Sequence, residues 1–166
     1  GLPGQAGGEV IADLLYGRAN PGGKLAESWP YRYEDVPSSG IYGKTTDALY
    51  QEGVYVGYRY YDKAGVPVRW PFGYGLSYTE FAYSDLTVEG DTASVTVRNV
   101  GKCSGAEVVQ LYLAAPQEGL HRPVRELKGF QKVHLQPGES ETVRFTLTDR
   151  SFALWQDGWK VPGGTY

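Results

Sequence analysis

The sequence predicts a mostly β protein: an immunoglobulin-like β-sandwich preceded by the tail of a larger α/β domain. Three observations carry this. From Phe81 onward, short alternating runs recur every 8–12 residues or so with turn signals between them, the spacing of a sandwich. Only one stretch, near the start, has convincing helical periodicity. The composition, with 23 Gly, 10 Pro and 14 Tyr among 166 residues, favours turns, long loops and sheets over helix bundles.

The elements follow in order. In residues 9–16, Val10, Ile11, Leu14 and Leu15 form one helical stripe. Gly17 follows as a natural C′ residue, because the left-handed conformation costs glycine little. Asn20-Pro21-Gly22-Gly23 then makes a turn, and residues 25–29 are a short strand candidate stopped by Pro30. This piece has too few apolar residues for a core of its own. Residues 31–50 lack periodicity and read as a long ordered loop. Loops beyond about 12–15 residues are often functional.

Residues 51–62 are rich in Tyr and Val and read as a strand. Tyr55, Gly57, Arg59 and Tyr61 would share one face; Val54, Val56, Tyr58 and Tyr60 the other. Residues 63–65 are a plausible turn, and 66–70 lead into Trp70-Pro71-Phe72-Gly73-Tyr74-Gly75-Leu76-Ser77-Tyr78, which reads as a rigid aromatic domain junction. Beyond it, strands are expected at 81–89 with a bulge, at 93–98 with Ala93, Val95 and Val97 inward, and at 107–114 with Val109, Leu111 and Leu113 on one face. Further strands are expected at 127–133, at 142–147 with Val143, Phe145 and Leu147 inward, at 152–155 and at 159–161. Turns fall at Gly90-Asp91 and at Gln136-Pro137-Gly138-Glu139, and residues 115–126 form a long polar connection. A sandwich of this type needs about seven strands. Thr165-Tyr166 reads as the start of the last, so truncation is expected at both ends.

Composition excludes some classes. The net charge is −3 with no Lys/Arg cluster, against a nucleic-acid surface. No apolar run approaches the roughly 20 residues of a membrane span, and Gly1 to Gly4 form no signal peptide. Cys103 is the only cysteine, so no internal disulfide is available, and it does not settle the compartment.

The candidate chemical motifs favour structural roles. Glu34-Asp35 reads as a solvated loop pair. Glu52 and Asp62 read as ion-pair partners of Arg59 or Arg69. Residues 101–105, Gly-Lys-Cys-Ser-Gly, resemble a nucleophile elbow, but strands on both sides make a hairpin loop the better reading. Gly73-Tyr74-Gly75 lacks the third glycine of a dinucleotide fingerprint. His121 and His134 have no partner cysteines at zinc-ligand spacing. Trp29, Tyr42, Tyr50, Tyr55 and Trp70 could stack on sugars, but aromatic packing is the simpler role. The loop from Tyr31 to Tyr50 is the best candidate for an active-site rim.

The ordered motifs resemble a family. Pro3-Gly4-Gln5-Ala6-Gly7-Gly8, Ala12 to Gly17 and Asn20 to Leu25 are similar to the end of the α/β sandwich domain of glycoside hydrolase family 3. Glu52 to Asp62 resembles the approach to that family's third domain, and Pro71 to Phe81 the entry into it. Glu107-Val108-Val109-Gln110-Leu111-Tyr112 and Arg125-Glu126-Leu127-Lys128-Gly129-Phe130 resemble strands of that domain, which is fibronectin type III-like. The nearest subgroup looks like the bacterial β-glucosidases. The resemblance implies three segments: residues 1–30 ending the α/β sandwich, 31–70 a linker and ordered loop, and 71–166 a fibronectin type III-like domain without its last strand. It implies a parent that is a retaining glycosidase acting on terminal β-linked sugars.

Such an enzyme uses two carboxylates about 5–5.5 Å apart. The family's nucleophile Asp sits in a barrel, and its acid/base Glu lies upstream of the Pro-Gly-Gln motif. Neither segment is in this sequence. No catalytic, cofactor-binding or metal-binding residue is therefore assigned here, and no cofactor is expected. The expected partner is a β-glucoside or oligosaccharide, met through the missing catalytic domains, with no nucleic acid and no membrane, and with room for a homo-oligomer. The segment would brace the catalytic domains, its aromatic junction pinning the fibronectin-like domain to the α/β sandwich. The alternatives are a carbohydrate- or protein-binding β module, or a structural domain without a ligand.

Overall fold

The computed structural model describes residues 3–44, 46–47, 49–119 and 121–166. Gly1 and Leu2, Thr45 and Ala48 of the expected loop, and Leu120 of the expected connection lie outside them. In chain order the elements are α1 (Gly7–Leu15), β1 (Trp29–Pro30), α2 (Tyr58–Ala64), β2 (Val68–Trp70), β3 (Phe81–Glu89), β4 (Thr92–Asn99), β5 (Gly105–Ala114), β6 (Arg125–Leu135), β7 (Ser140–Thr146), α3 (Asp149–Phe152), β8 (Leu154–Trp155) and β9 (Trp159–Lys160). The strands pair in the orders β3-β4-β7, β5-β6, β1-β2 and β8-β9. The chain divides into two compact units. One comprises the chain up to Lys24 with Gly75–Val109 and Phe130–Thr146; the other comprises Leu25–Tyr74, Gln110–Gly129 and Leu147–Tyr166.

The first unit holds the apolar core. Alternation along β4 and β7 sends Val97 and Val143 inward, both fully buried. They cluster with Val109, Val133 and Leu135, against which Phe81, Val95 and Phe145 pack. The register runs Val95↔Val143 and Val97↔Glu141 between β4 and β7. Burying Leu135 alone contributes about 2 kcal/mol. Polar ties complete the unit. Asn99, fully buried, accepts from the Thr79 hydroxyl at 2.7 Å and from the Gly101 N–H at 3.1 Å. Its amide donates to the Cys103 and Leu135 carbonyls at 2.9 and 3.0 Å. A buried amide with all its groups engaged fixes three segments at once.

The second unit is built differently. Trp29 and Trp70 oppose each other across β1 and β2, ring centroids 5.6 Å apart and edge to face. Backbone bonds of 2.8 Å join Leu25 N–H to Tyr74 O and Gly73 N–H to Leu25 O. Phe72 stacks on Tyr58 at 4.8 Å. Gly73 has φ 80° and no room for a Cβ, because the Gln110 side chain lies against it and donates to its carbonyl at 3.1 Å.

Several expectations need correction. The Tyr-rich run is not a strand over 51–62; its end is the helix α2. Gly57 at φ 61° and ψ −129° breaks any extended run, and Gly65, left-handed at φ 65°, caps the helix, so tertiary context overrides β propensity. Residues 63–65 are thus a helix end and not a separate turn. The strand near the start is Trp29–Pro30, and Pro30 belongs to it. An edge position lets proline pair without donating. The 101–105 loop is no hairpin, because β4 and β5 lie in different sheets. The last polar connection is shorter than expected, since β6 begins at Arg125. Phe152 ends the one-turn helix α3, held by a Thr148/Ser151 capping box. The strands after it shrink to two residues each.

Other expectations hold. Gly17, just past α1, has φ 68°. β3 carries its bulge between Ser84 and Thr87, with Asp85 at φ 54°. The loop from Tyr31 has no regular element among its described residues beyond a 3-10 turn over Tyr33–Asp35.

Candidate functional site

Within the second unit, α2 and the loop before it enclose an open groove of about 1000 Å³. Ile41, Leu49 and Val56 supply apolar walls; Tyr60, Lys63 and Glu52 supply polar ends. Helical geometry sets the α2 side: Tyr60, Lys63 and Ala64 lie three and four residues apart and face one way. The Lys63 ammonium donates to Gln117 Oε1 at 2.8 Å. Tyr55 lines the groove with its ring edge-on to His121 at 5.2 Å, and its buried hydroxyl has no hydrogen-bond partner among the described residues. A buried hydroxyl without a partner is costly. Tyr61, behind Tyr60, is pushed up from the ordinary tyrosine range by burial first, then by Tyr60, Asp35 and Glu52.

The groove meets the expected rim loop through Pro37, Ser38, Ile41, Leu49 and Tyr50. Tyr50 is 97% exposed and Tyr42 76%, so these rings lie open. Trp29 and Trp70 pack against each other, and Arg69 lies over the Trp70 ring at 4.7 Å. The five aromatic candidates are therefore not one platform.

Glu52 is the only carboxylate among the described residues lining the groove. Retaining glycosidase chemistry needs two. Asp35 and Asp62 are held elsewhere. Asp35 accepts from Arg32 at 3.2 Å. Asp62 grips Arg125 through two bonds, 2.7 and 3.2 Å, and not Arg59 or Arg69. That bond favours the charged Arg125 despite its burial. Arg59 instead reaches Glu126 at 3.5 Å, as do Arg122 at 3.1 Å and Lys128 at 3.5 Å. The pairing expected for Asp62 is present with different partners, because a helix turns Asp62 and Arg59 to positions a strand would not. The Tyr58 hydroxyl also accepts from the Leu127 N–H at 2.8 Å, tying α2 to the same segment.

His121 lies beside Tyr55, and His134 lines a separate small cleft in the first unit. Among the described residues no cluster of three His, Cys, Asp or Glu side chains could hold a metal ion.

Sequence reasoning passed over two residues of the first unit. Asn20, read only as a turn former, donates to Ser104 O at 2.9 Å and accepts from Ser77 Oγ and Tyr78 N–H at 3.0 and 2.8 Å. Lys24 pairs with Glu107 at 2.9 Å and donates to Gly75 O at 3.2 Å. The Tyr83 hydroxyl donates to the same Glu107 at 2.9 Å, and burial and that carboxylate push it far above the tyrosine range. The Asn-Pro-Gly-Gly turn was the only available signal.

Comparison with known proteins agrees with this architecture. The glycosyl hydrolase family 3 C-terminal domain matches residues 1–58, and the fibronectin type III-like domain matches residues 107–166. Residues 1–58 thus carry a glycosyl hydrolase family 3 C-terminal domain. The chain is 46% identical to thermostable beta-glucosidase B of Acetivibrio thermocellus, over 99% of this chain and 23% of that protein. It is 48% identical to probable beta-glucosidase K of Emericella nidulans, over 96% of this chain and 20% of that protein. Among solved structures, beta-glucosidase 3B from Thermotoga neapolitana in complex with glycerol superposes with a TM-score of 0.87 at 44% identity, covering 94% of this chain and 23% of that one. The Bifidobacterium adolescentis GH3 beta-glucosidase gives 0.87 at 42% identity, covering 96% and 25%. The chain thus spans between a fifth and a quarter of the length of these relatives. The family and the mostly β, fibronectin type III-like fold expected from the motifs are both found.

Proposed function

We propose that this chain is part of an enzyme that hydrolyses terminal β-linked glucose or a similar sugar through a glycosyl-enzyme intermediate. The observation that carries the reading is identity of 42–48% to beta-glucosidases across nearly the whole chain. Residues 1–30 end an α/β sandwich domain, 31–70 link, and 71–166 form the fibronectin type III-like domain. The role of this part is to brace the catalytic domains and to shape the rim of the sugar pocket. The Tyr78 hydroxyl, which donates to Leu14 O at 2.9 Å, and the Lys24–Glu107 pair support the bracing role, because each ties the N-terminal segment to the sandwich. The open loop rings and the single carboxylate Glu52 support a rim that contacts sugar without cleaving it.

The test compares the full-length protein with the purified 166-residue chain on an aryl β-glucoside. The full-length protein turns it over and the isolated chain does not. Turnover by the isolated chain, abolished by Glu52→Gln, would overturn the assignment of catalysis to the rest of the enzyme. Absence of turnover in the full-length protein would overturn the activity itself.

A further inference from the structure

The first unit contains a second cavity, of about 280 Å³, to which the glycosidase reading gives no role. Gly22, Gly105 and Ala106 line it with backbone and a methyl group. A Cβ on Gly22 would meet Ala106 at 2.9 Å, so there is no room for a larger residue there. Ser104, Lys132, His134 and Gln136 also line it. Lys132 and His134 are two positions apart on β6 and share its outward face, both exposed.

The polar groups of this cleft divide into committed and free. The Asn20 amide is used by Ser104 O, and its oxygen by Ser77 and Tyr78. Among the described residues, the side chains of Lys132, His134, Gln136 and Ser104 have no hydrogen bond or ion pair. Among the described residues no carboxylate side chain lines the cleft. The acidic residues of the adjoining segments are each engaged, Glu139 at the edge of the cleft itself, on the backbone of the lining residue Gln136. Glu139 accepts from the Gln136 backbone N–H at 2.7 Å, Glu141 from Gln131 at 3.2 Å, and Glu107 holds Lys24 and Tyr83. The free set is therefore an ammonium, an imidazole, a carboxamide and a hydroxyl, all able to donate, with one positive charge among them. A cleft of this size is below the ~300–1,000 Å³ of drug-sized sites and suits a small ligand.

We propose that this cleft binds a small oxyanion: inorganic phosphate or sulfate, or the carboxylate of a sugar acid. Lys132 supplies the charge, and His134, Gln136 and Ser104 donate. Charge-assisted hydrogen bonds of this kind are about twice as strong as neutral ones.

The experiment is calorimetric titration of the intact protein with sodium phosphate, sodium sulfate and sodium glucuronate. Sodium chloride at equal ionic strength controls for screening. At least one oxyanion gives a saturable isotherm, and chloride gives none. Affinity falls at least tenfold in Lys132→Gln and in His134→Gln, while the melting temperature of both variants stays at that of the parent because both side chains are exposed. Saturation by phosphate or sulfate assigns the site to inorganic anions; saturation by glucuronate alone assigns it to sugar acids. Linear isotherms with all three anions, or affinity unchanged in both variants, would overturn the proposal.

Discussion

The two units reach order by different means. In the first, five apolar side chains are buried together and one asparagine satisfies the backbone around them. In the second, Tyr61, Ala115 and Leu147 are the buried apolar residues among those described. Rings packed in pairs and ion pairs at Glu126 and Asp62 make up the rest. Apolar burial is non-directional and strong per residue, whereas partly exposed ion pairs are screened and contribute little. Mutational sensitivity should therefore be concentrated in the first unit.

The largest effect is expected from Leu135→Ala. Truncating this buried residue should destabilise the unit by about 2–5 kcal/mol, read as a fall in denaturation midpoint with unchanged slope. Phe72→Ala comes next. It removes the stack on Tyr58 but opens a half-buried site, so a loss of about 1–2 kcal/mol is expected. The readout is a lower melting temperature of the intact protein. Retained stability with weakened substrate affinity would instead make Phe72 a sugar contact. Asp62→Asn should cost less, about 0.5–1 kcal/mol, and the difference should shrink in high salt because Arg125 is half exposed.

The smallest effect is alkaline. Burial and Glu107 raise the folded-state Tyr83 above its unfolded value near 10. The neutral form is favoured by folding, so the contribution is complete below about pH 10 and fades as pH rises further. Tyr83→Phe should flatten that alkaline decline in a pH series of melting temperatures.

The same contrast explains what the sequence made legible. Val95, Val97, Val143 and Phe145 alternate with polar neighbours, and period two is a local code for a half-buried strand. The β3 bulge and the turns at Gly90 and Gly138 were equally local. Tyr58 to Asp62 had no such code. Their side chains look β-prone, yet Gly57 and Gly65 delimit a helix whose tyrosine and aspartate find Leu127 and Arg125 more than sixty positions away. Contacts at that separation leave no periodic trace. Asn20 and Lys24 were missed for the same reason, since Ser104, Gly75 and Glu107 are all distant in sequence. The candidate groove was only half legible: the loop was recognisable by its lack of pattern, but the α2 wall opposite it was not.

Hydrogen exchange on the intact protein tests the difference between the units most directly. Amides of β4 and β7 around Val97 and Val143 should be the slowest in the chain. Those of α2 should exchange markedly faster, through local opening that breaks its ring and ion-pair contacts. If α2 exchanged as slowly as β4, the second unit would be as firmly held as the first, and the account of two differently built units would be contradicted.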